Sequence, residues 1–385
     1  MLSSVIVGVA AILAIDGLNT GMLNQMLDNQ ISSSVSHLQI HKNGYNDNKI
    51  IQSFIPESDK VEYKLQNTKG IAAYSKRVKA FGLVSSAYGS AGIFISGIIP
   101  SDEKRVSNIS ELITEGNYLS GKKNEIIISR KMAEKLNVEV GSKVVLMAST
   151  IDGSPGQNLF KVAGIFETYS STFDKSNIFI GMKDAQDLLE IGPEIYEFAI
   201  IADNYEKIEE LEAYLASELD GKYEILTYKE LLPMLLMQID LTKESMQILN
   251  LIVGLALIFG IINTMLMSVF ERIREFGVLM AIGLKSGKIF LMVIYEAFII
   301  GVAGVVAGII LGYGIILPFT YHGFDFSVFA ESLKSFGVGA IIYPQISIEN
   351  TISVALMIPV IAVLGAIYPA YKAVKLQPVY AIRHV

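Results

Sequence analysis

Three long apolar runs constrain what this chain can fold into more than anything else in it. Ile248 to Val269 makes 22 positions whose polar interruptions are Asn250, Asn263, Thr264 and Ser268. At ~1.5 Å of rise per residue, a helix of that length crosses the ~30 Å hydrocarbon layer of a bilayer. Ile289 to Phe319 is longer, 31 positions with Glu296 as its one acidic or basic residue, and Thr351 to Tyr371 is the third run, with Pro359 and Pro369 inside it. A fourth run, Leu2 to Ile15, ends at Asp16, but continues apolar enough through Gly17, Leu18, Met22, Leu23 and Met26 to cross as well. It has no basic residue ahead of it and no clean small-x-small cleavage pattern after it, so it reads as an anchor rather than a secretory signal. The missing basic start also reads as a shortened N-terminus.

The expected fold class is therefore an α-helical integral membrane protein with four transmembrane helices and a large α+β extracytoplasmic domain inserted between the first and second. Residues 1–27 form the first helix, 28–245 the inserted core domain, and 246–385 a three-helix membrane domain. Lys and Arg in short loops orient such a chain. Arg272, Arg274, Lys285 and Lys288 crowd the segment between the second and third spans, and Lys372, Lys375 and Arg383 follow the fourth. Both segments read as cytoplasmic, with both termini inside, in the plasma (inner) membrane. Residues 28–244 hold 23 basic and 31 acidic residues, a net of −8 that accounts for the whole chain's −7 and lies outside. That balance supplies no phosphate-neutralising surface and excludes a nucleic-acid partner. With 0 cysteines, disulfide frameworks and thiolate chemistry are excluded too.

Within the inserted domain, β-rich runs at Ser36–His41, Ile93–Ile99, Glu125–Ser129, Lys143–Ala148, Phe160–Phe166 and Asn177–Ile180 alternate with helical patterns. The helices are expected at Lys131–Leu136, Lys183–Glu190 and Tyr205–Leu219. His37 and His41 stand four apart, but His-Leu-Gln-Ile-His alternates like a strand and lacks a zincin Glu, so no metal site is expected. Neither G-x-S-x-G nor a P-loop pattern occurs, so no catalytic residues and no cofactor are expected, and ATP hydrolysis falls to another chain. The turn-rich stretch from Ala148 to Phe160, with Asp152, Gly153, Pro155 and Gly156, is either a solvated loop or a docking hairpin for a soluble partner.

The segment Glu271-Arg272-Ile273-Arg274-Glu275-Phe276-Gly277-Val278-Leu279-Met280-Ala281-Ile282-Gly283 puts Ile273, Phe276, Met280 and Gly283 on one helical stripe behind a charged first turn. Interfacial helices that merely lie in headgroups favour basic faces, whereas this one alternates acid and base, a pattern suited to a protein surface. Together with the preceding Asn263 to Phe270, it resembles the second span and coupling helix of the macrolide-exporter/lipoprotein-releasing family of ABC transporter permeases. The ending Pro369 to Arg383, His37-Leu38-Gln39-Ile40-His41, Ala133-Glu134-Lys135-Leu136 and Val162-Ala163-Gly164-Ile165-Phe166 are similar to that family in the same order.

The resemblance implies a homodimer, or a heterodimer with a sister permease, seated on a cytoplasmic ABC ATPase. Its coupling contacts would be Glu271, Arg272, Arg274, Glu275, Phe276, Gly277, Met280 and Gly283. It implies a mechanotransmitter that works on substrate at the outer face, with lipoprotein release from the inner membrane as the leading function. Efflux of small amphiphiles or peptides with a periplasmic adaptor, and non-transporting control of a cell-wall hydrolase, stay open. Asn250 is read either as an interhelical hydrogen-bond partner, like Asn263, or, with Leu251 near the outer end, as a lateral substrate entrance, and the hairpin at Ser149 to Phe160 matches in position a loop that recruits a soluble carrier but is shorter. Glu296 is read as either a functional group at depth or the partner of a neighbour near the interface.

Overall fold

The structure, a computed structural model, describes residues 2–48 and 50–375. The remainder of the C-terminal signature, to Arg383, lies outside the described residues. Among those described, four helices are long and apolar enough to cross a bilayer: Leu2–Gln30, Pro233–Glu271, Ser286–His322 and Ile348–Val374. Their ends follow local chemistry. Pro233 opens the second helix where its missing N–H costs nothing; Leu232 separates it from the short helix Tyr228–Leu231, and from Pro233 the helix runs into the span without a break. The third stops at Gly323, whose φ of 74° favours glycine and whose N–H bonds Phe319 O at 2.9 Å. Ser347 caps the fourth by accepting from Asn350 N at 3.2 Å.

The chain divides into two compact units, one of residues 1–24, 237–326 and 341–385, the other of 25–236 and 327–340. In the helical unit small residues set the packing, as expected where lipid and protein are equally apolar. A Cβ on Gly308 would lie 2.6 Å from Val9 Cβ, and one on Gly304 2.6 Å from Val5 Cγ1, so these glycines let the third span approach the first. Gly301 does the same against Ala362 and Pro359 of the fourth. Val5, Val9, Ile289, Val293, Ala297, Ile358 and Ala362 form the buried centre.

The other unit is built on ten strands: β1 Leu38–Lys42, β2 Ile71–Ser85, β3 Ser90–Ile98, β4 Ile113–Gly116, β5 Glu125–Ser129, β6 Lys143–Ser149, β7 Pro155–Phe166, β8 Asn177–Gly181, β9 Glu197–Ala202 and β10 Tyr223–Thr227. They pair in the order β10-β1-β9-β2-β3-β8-β5-β7-β4, with β6 joining β2 to β7. The 15-residue β2 organises the sheet, because its first half pairs with β9 and its second with β3 and β6. The pairs β3–β8 and β5–β7 are parallel. Helices Arg130–Leu136, Met182–Leu189 and Ile208–Glu218 occupy the expected places, and Ser58–Asn67 is a further one. The short helix Ala330–Ser335, from the segment between the third and fourth spans, also belongs here: Lys334 pairs with Glu167, and Lys131 with Glu331 at 3.4 Å.

Candidate functional site

The segment after the second span folds as a helix over Ile273–Ala281. It ends at Gly283, whose φ of 102° lets its N–H reach Met280 O at 3.1 Å while Leu284 N reaches Leu279 O at 3.0 Å. Phe276 is buried to 1% exposure among the bundle side chains, Gly277 is buried, and Ile273, Leu279 and Met280 are half-buried. The stripe of apolar residues therefore faces the membrane helices. Phe276 and Gly277, expected as contacts with a partner, are instead its internal supports.

Glu271, Arg274, Glu275, Val278, Ala281, Ile282 and Gly283 are exposed, with Ile282 at 77%. Arg272 ties this helix down. Its Nε donates to Glu275 Oε2 and its Nη1 to Glu296 Oε2, each at 3.0 Å, and its guanidinium lies 5.2 Å from the Phe276 ring centre. Glu296 is thus paired rather than solitary. Both partners of that bridge are about a third exposed, so it contributes only about 0.2–1 kcal/mol; its effect is geometric, fixing the first turn against the third span. The exposed side also carries Val278 and Ile282, which sequence reasoning did not single out. The signal was an apolar i,i+4 pair on the charged side of the helix.

The β6–β7 hairpin closes tightly. The ladder extends to Ser149↔Pro155, which leaves 150–154 as the turn and places Pro155 and Gly156 in the strand rather than the loop. Asp152 accepts from the Thr150 hydroxyl, from Ser154 N at 3.0 Å and from Ser154 Oγ at 2.7 Å, and these bonds hold its carboxyl down to about 2. Gly153 sits at φ 87° at the tip, and a Cβ on Gly156 would lie 2.3 Å from Leu188 O. Within the second span Asn250 is half-buried and Leu251 exposed, next to exposed Ile248, Ile252 and Leu255.

His41 is buried, bonded through Nδ1 to Tyr196 O and through Nε2 to Gln39 Oε1, both at 2.9 Å, and stacked on Tyr45. His37 Nδ1 accepts from Ala202 N at 3.0 Å. Both histidines are therefore engaged in the sheet, and among the described residues no three His, Asp or Glu gather as metal ligands. A cluster that sequence reasoning did not anticipate lies beside them. Buried Arg77 meets Glu103 through Nε at 3.0 Å and Nη2 at 2.7 Å, and its Nη1 reaches Glu197 Oε1 and Ser34 O, each at 2.7 Å. The guanidinium so joins β2, β9, the one-turn helix Pro100–Glu103 after β3 and the segment following the first helix. Three ions buried in this way stabilise little on balance but fix the arrangement of what they join.

Comparison with known proteins agrees with this organisation. Residues 1–218 match the MacB-like periplasmic core domain and residues 248–378 the FtsX-like permease C-terminal domain. The lipoprotein-releasing system transmembrane protein LolC of Xylella fastidiosa (strain 9a5c) is 22% identical over 75% of this chain and 72% of its own. LolC of Neisseria meningitidis serogroup B is 25% identical over 83% and 80%. The ABC transporter permease YknZ of Bacillus subtilis (strain 168) is 22% identical over 99% of this chain and 93% of its own. With a core-domain match over more than half of its length and a permease match over its last three membrane helices, the chain belongs to the MacB/LolC/FtsX-like family of ABC transporter permeases.

Proposed function

We propose that this permease transmits work from a separate cytoplasmic ABC ATPase, through the helix Ile273–Ala281, to the inserted domain on the other side of the membrane, and that it acts as a dimer with itself or a sister permease. One observation carries the reading. The helix keeps Phe276 and Gly277 inward and is clamped by Arg272 to Glu296, while Val278 and Ile282 stand exposed amid Glu271, Arg274 and Glu275. An apolar pair ringed by both signs of charge has the composition of a docking surface, with the apolar centre giving affinity and the rim giving register.

The cargo is an acylated or otherwise amphiphilic molecule, with membrane lipoprotein as the leading candidate. Relatives named for lipoprotein release, at 22–25% identity, support that choice. Efflux is the second reading, favoured by 32% identity over 37% of this chain to the macrolide export ATP-binding/permease protein MacB of Hahella chejuensis. A carrier seated on 152–156 would meet a turn in which Asp152 Oδ1 already accepts from Thr150 and Ser154, and the permease reading does not require it.

The test is co-purification with the ATPase and ATP-dependent release of labelled lipoprotein from proteoliposomes. Val278→Asp and Ile282→Asp should each lower both by at least about tenfold, as a charge does at the centre of a docking surface, while membrane insertion is kept. Normal coupling in both variants refutes the docking assignment. Drug sensitivity of a deletion strain with intact lipoprotein release would favour efflux.

A further inference from the structure

The chain passes between its two compact units four times, after residues 24, 236, 326 and 340. The crossings at 24 and 236 fall inside the first and second long helices, as a domain inserted between them requires. The other two have no such origin, because a short turn is enough to join the third helix to the fourth. Residues 327–340 instead leave the helical unit and belong to the sheet unit. Both ends of this excursion are fastened. At its base, in the helical unit, Phe324–Asp325 pairs antiparallel with Ile341–Ile342, and Gln345 N donates to Gly17 O of the first helix at 2.9 Å.

At its tip, in the sheet unit, the helix Ala330–Ser335 ends with Gly337 at φ 81°. Gly337 N bonds Lys334 O at 3.2 Å and Val338 N bonds Leu333 O at 3.1 Å, the pair of bonds that closes a Schellman end. A helix this short has no stability of its own, so its contacts hold it. Lys334 pairs with Glu167, the two side chains 21% and 27% exposed, and Lys131 pairs with Glu331 at 3.4 Å. Asn29 Nδ2 donates to Gly337 O at 2.9 Å, and Val338 is buried. Glu167 follows directly on β7, the strand that pairs with β4, β5 and β6. It also accepts from Arg130 Nε at 3.2 Å, whose Nη1 reaches Glu115 of β4 at 3.0 Å. The linkers leave little slack. Ile341, paired at the base, comes three residues after Val338, buried at the tip, and an extended chain of that length spans at most about 11 Å. A larger excursion of the base either draws the tip along or tears it from Glu167.

We propose that residues 327–340 form a strap through which the third and fourth membrane helices move the inserted domain, a second route beside the two helices that run into it. The third helix carries Glu296, which Arg272 joins to the helix Ile273–Ala281. A displacement received there passes along the third helix to the base of the strap and, through Lys334 and Glu167, to β7 and the strands paired with it. Rigid elements tied in series in this way are what carries coupling between distant sites. The strap deepens the permease reading and rests on it for the source of the movement.

The experiment uses the full-length permease bound to its ATPase in nanodiscs, with spin labels on Asp152→Cys in the sheet unit and Leu317→Cys in the third helix, both exposed positions in a chain with 0 native cysteines. Electron–electron resonance reads the change in label separation on trapping with ATP and vanadate. Lys334→Glu turns the tie to Glu167 into a repulsion but leaves Glu167 its bond to Arg130. It should shrink the nucleotide-driven change by about threefold or more, within the range seen for mutations along a coupling route. Replacing 330–338 by a Gly-Ser chain of equal length should do the same, and Lys334→Arg should keep the change. ATPase stimulation should persist in all three variants, a split that lost folding would not give. Unchanged movement in both Lys334→Glu and the Gly-Ser variant overturns the proposal. Parallel loss of stimulation and movement overturns it too, since the segment would then only support the fold. Hydrogen exchange on the permease alone needs no ATPase: the Gly337 and Val338 amides should be protected, and rapid exchange there means an unfastened tip and sinks the strap. Protected amides in a wild type that shows neither stimulation nor movement would instead refute the permease reading, so the two failures are told apart.

Discussion

Replacing Arg77 by Met should destabilise the inserted domain far more than any exposed charge change. The substitution keeps the bulk of the side chain but leaves Glu103 and Glu197, both essentially inaccessible, without their cation, and strips Ser34 O of its donor. Removing one member of a buried ionic cluster costs about 3–5 kcal/mol. For a domain of this size each kcal/mol moves the midpoint by about 2–4 °C, so a drop of about 6–20 °C is expected. Pulse proteolysis of the full-length protein in detergent along a temperature series reads it.

The loss is pH-dependent in a definite sense. Burial disfavours charge on Glu103, but the Arg77 guanidinium outweighs it and holds the carboxyl below the usual range; Lys79 and Arg77 do the same for buried Glu197. Carboxylates held low in the folded state stabilise it above their unfolded value of about 4.3, and that contribution is lost as pH falls through their folded values. Without Arg77 burial pushes the Glu103 carboxyl up and Glu197 keeps only Lys79 and His41 against its own burial, so the gap between wild type and Arg77→Met should be widest at neutral pH and narrow on acidification. Adding Glu103→Gln and Glu197→Gln to Arg77→Met should recover most of the midpoint at neutral pH. A drop under about 3 °C, or no recovery in the triple variant, refutes the assignment of this cluster as a buried charge network.

Asp174 is buried, and burial raises its carboxyl to about 6 despite the bonds it accepts from Thr168. A raised carboxyl binds its proton more readily when folded, so stability from this group should grow as pH falls from about 7 to 5; Asp174→Asn should flatten that rise in melting curves. Arg272→Gln and Glu296→Gln should show a coupling of only about 0.2–1 kcal/mol in a double-mutant cycle on stability, yet each should weaken ATPase stimulation, because the docking helix loses its tether. Gly308→Val inserts a side chain where a Cβ already meets Val9 at 2.6 Å, and should cost about 1–3 kcal/mol, seen as loss of a monodisperse peak in gel filtration.

The membrane helices were legible because an apolar run of sufficient length has few alternatives, and β1, β5, β6 and β8 because short β-rich runs stood between turn residues. What stayed hidden depended on distant partners. β2 carries Lys76, Arg77 and Lys79 inside its alternation, and such charges read as a solvated loop until Glu103 and Glu197 arrive from elsewhere in the chain. The helix Ala330–Ser335 finds its place through Glu167, more than 150 positions away. In the helix Ile273–Ala281 the periodicity was plain, but which face turns inward was not. Arg272, read as a partner contact, is drawn back by Glu296, and Phe276 is buried while Val278 and Ile282 stay exposed.

The central claim is that the segment around Val278 and Ile282 faces the cytoplasm and is covered by an ATPase. With 0 native cysteines the chain suits a single-site test, in which Ile282→Cys and Asp152→Cys are probed with a membrane-impermeant maleimide in vesicles of both orientations. The account predicts that Ile282→Cys reacts only in inverted vesicles and is protected when the ATPase is bound, while Asp152→Cys reacts only in right-side-out vesicles. Reaction of both cysteines from the same side, or no protection by a bound ATPase, would contradict it.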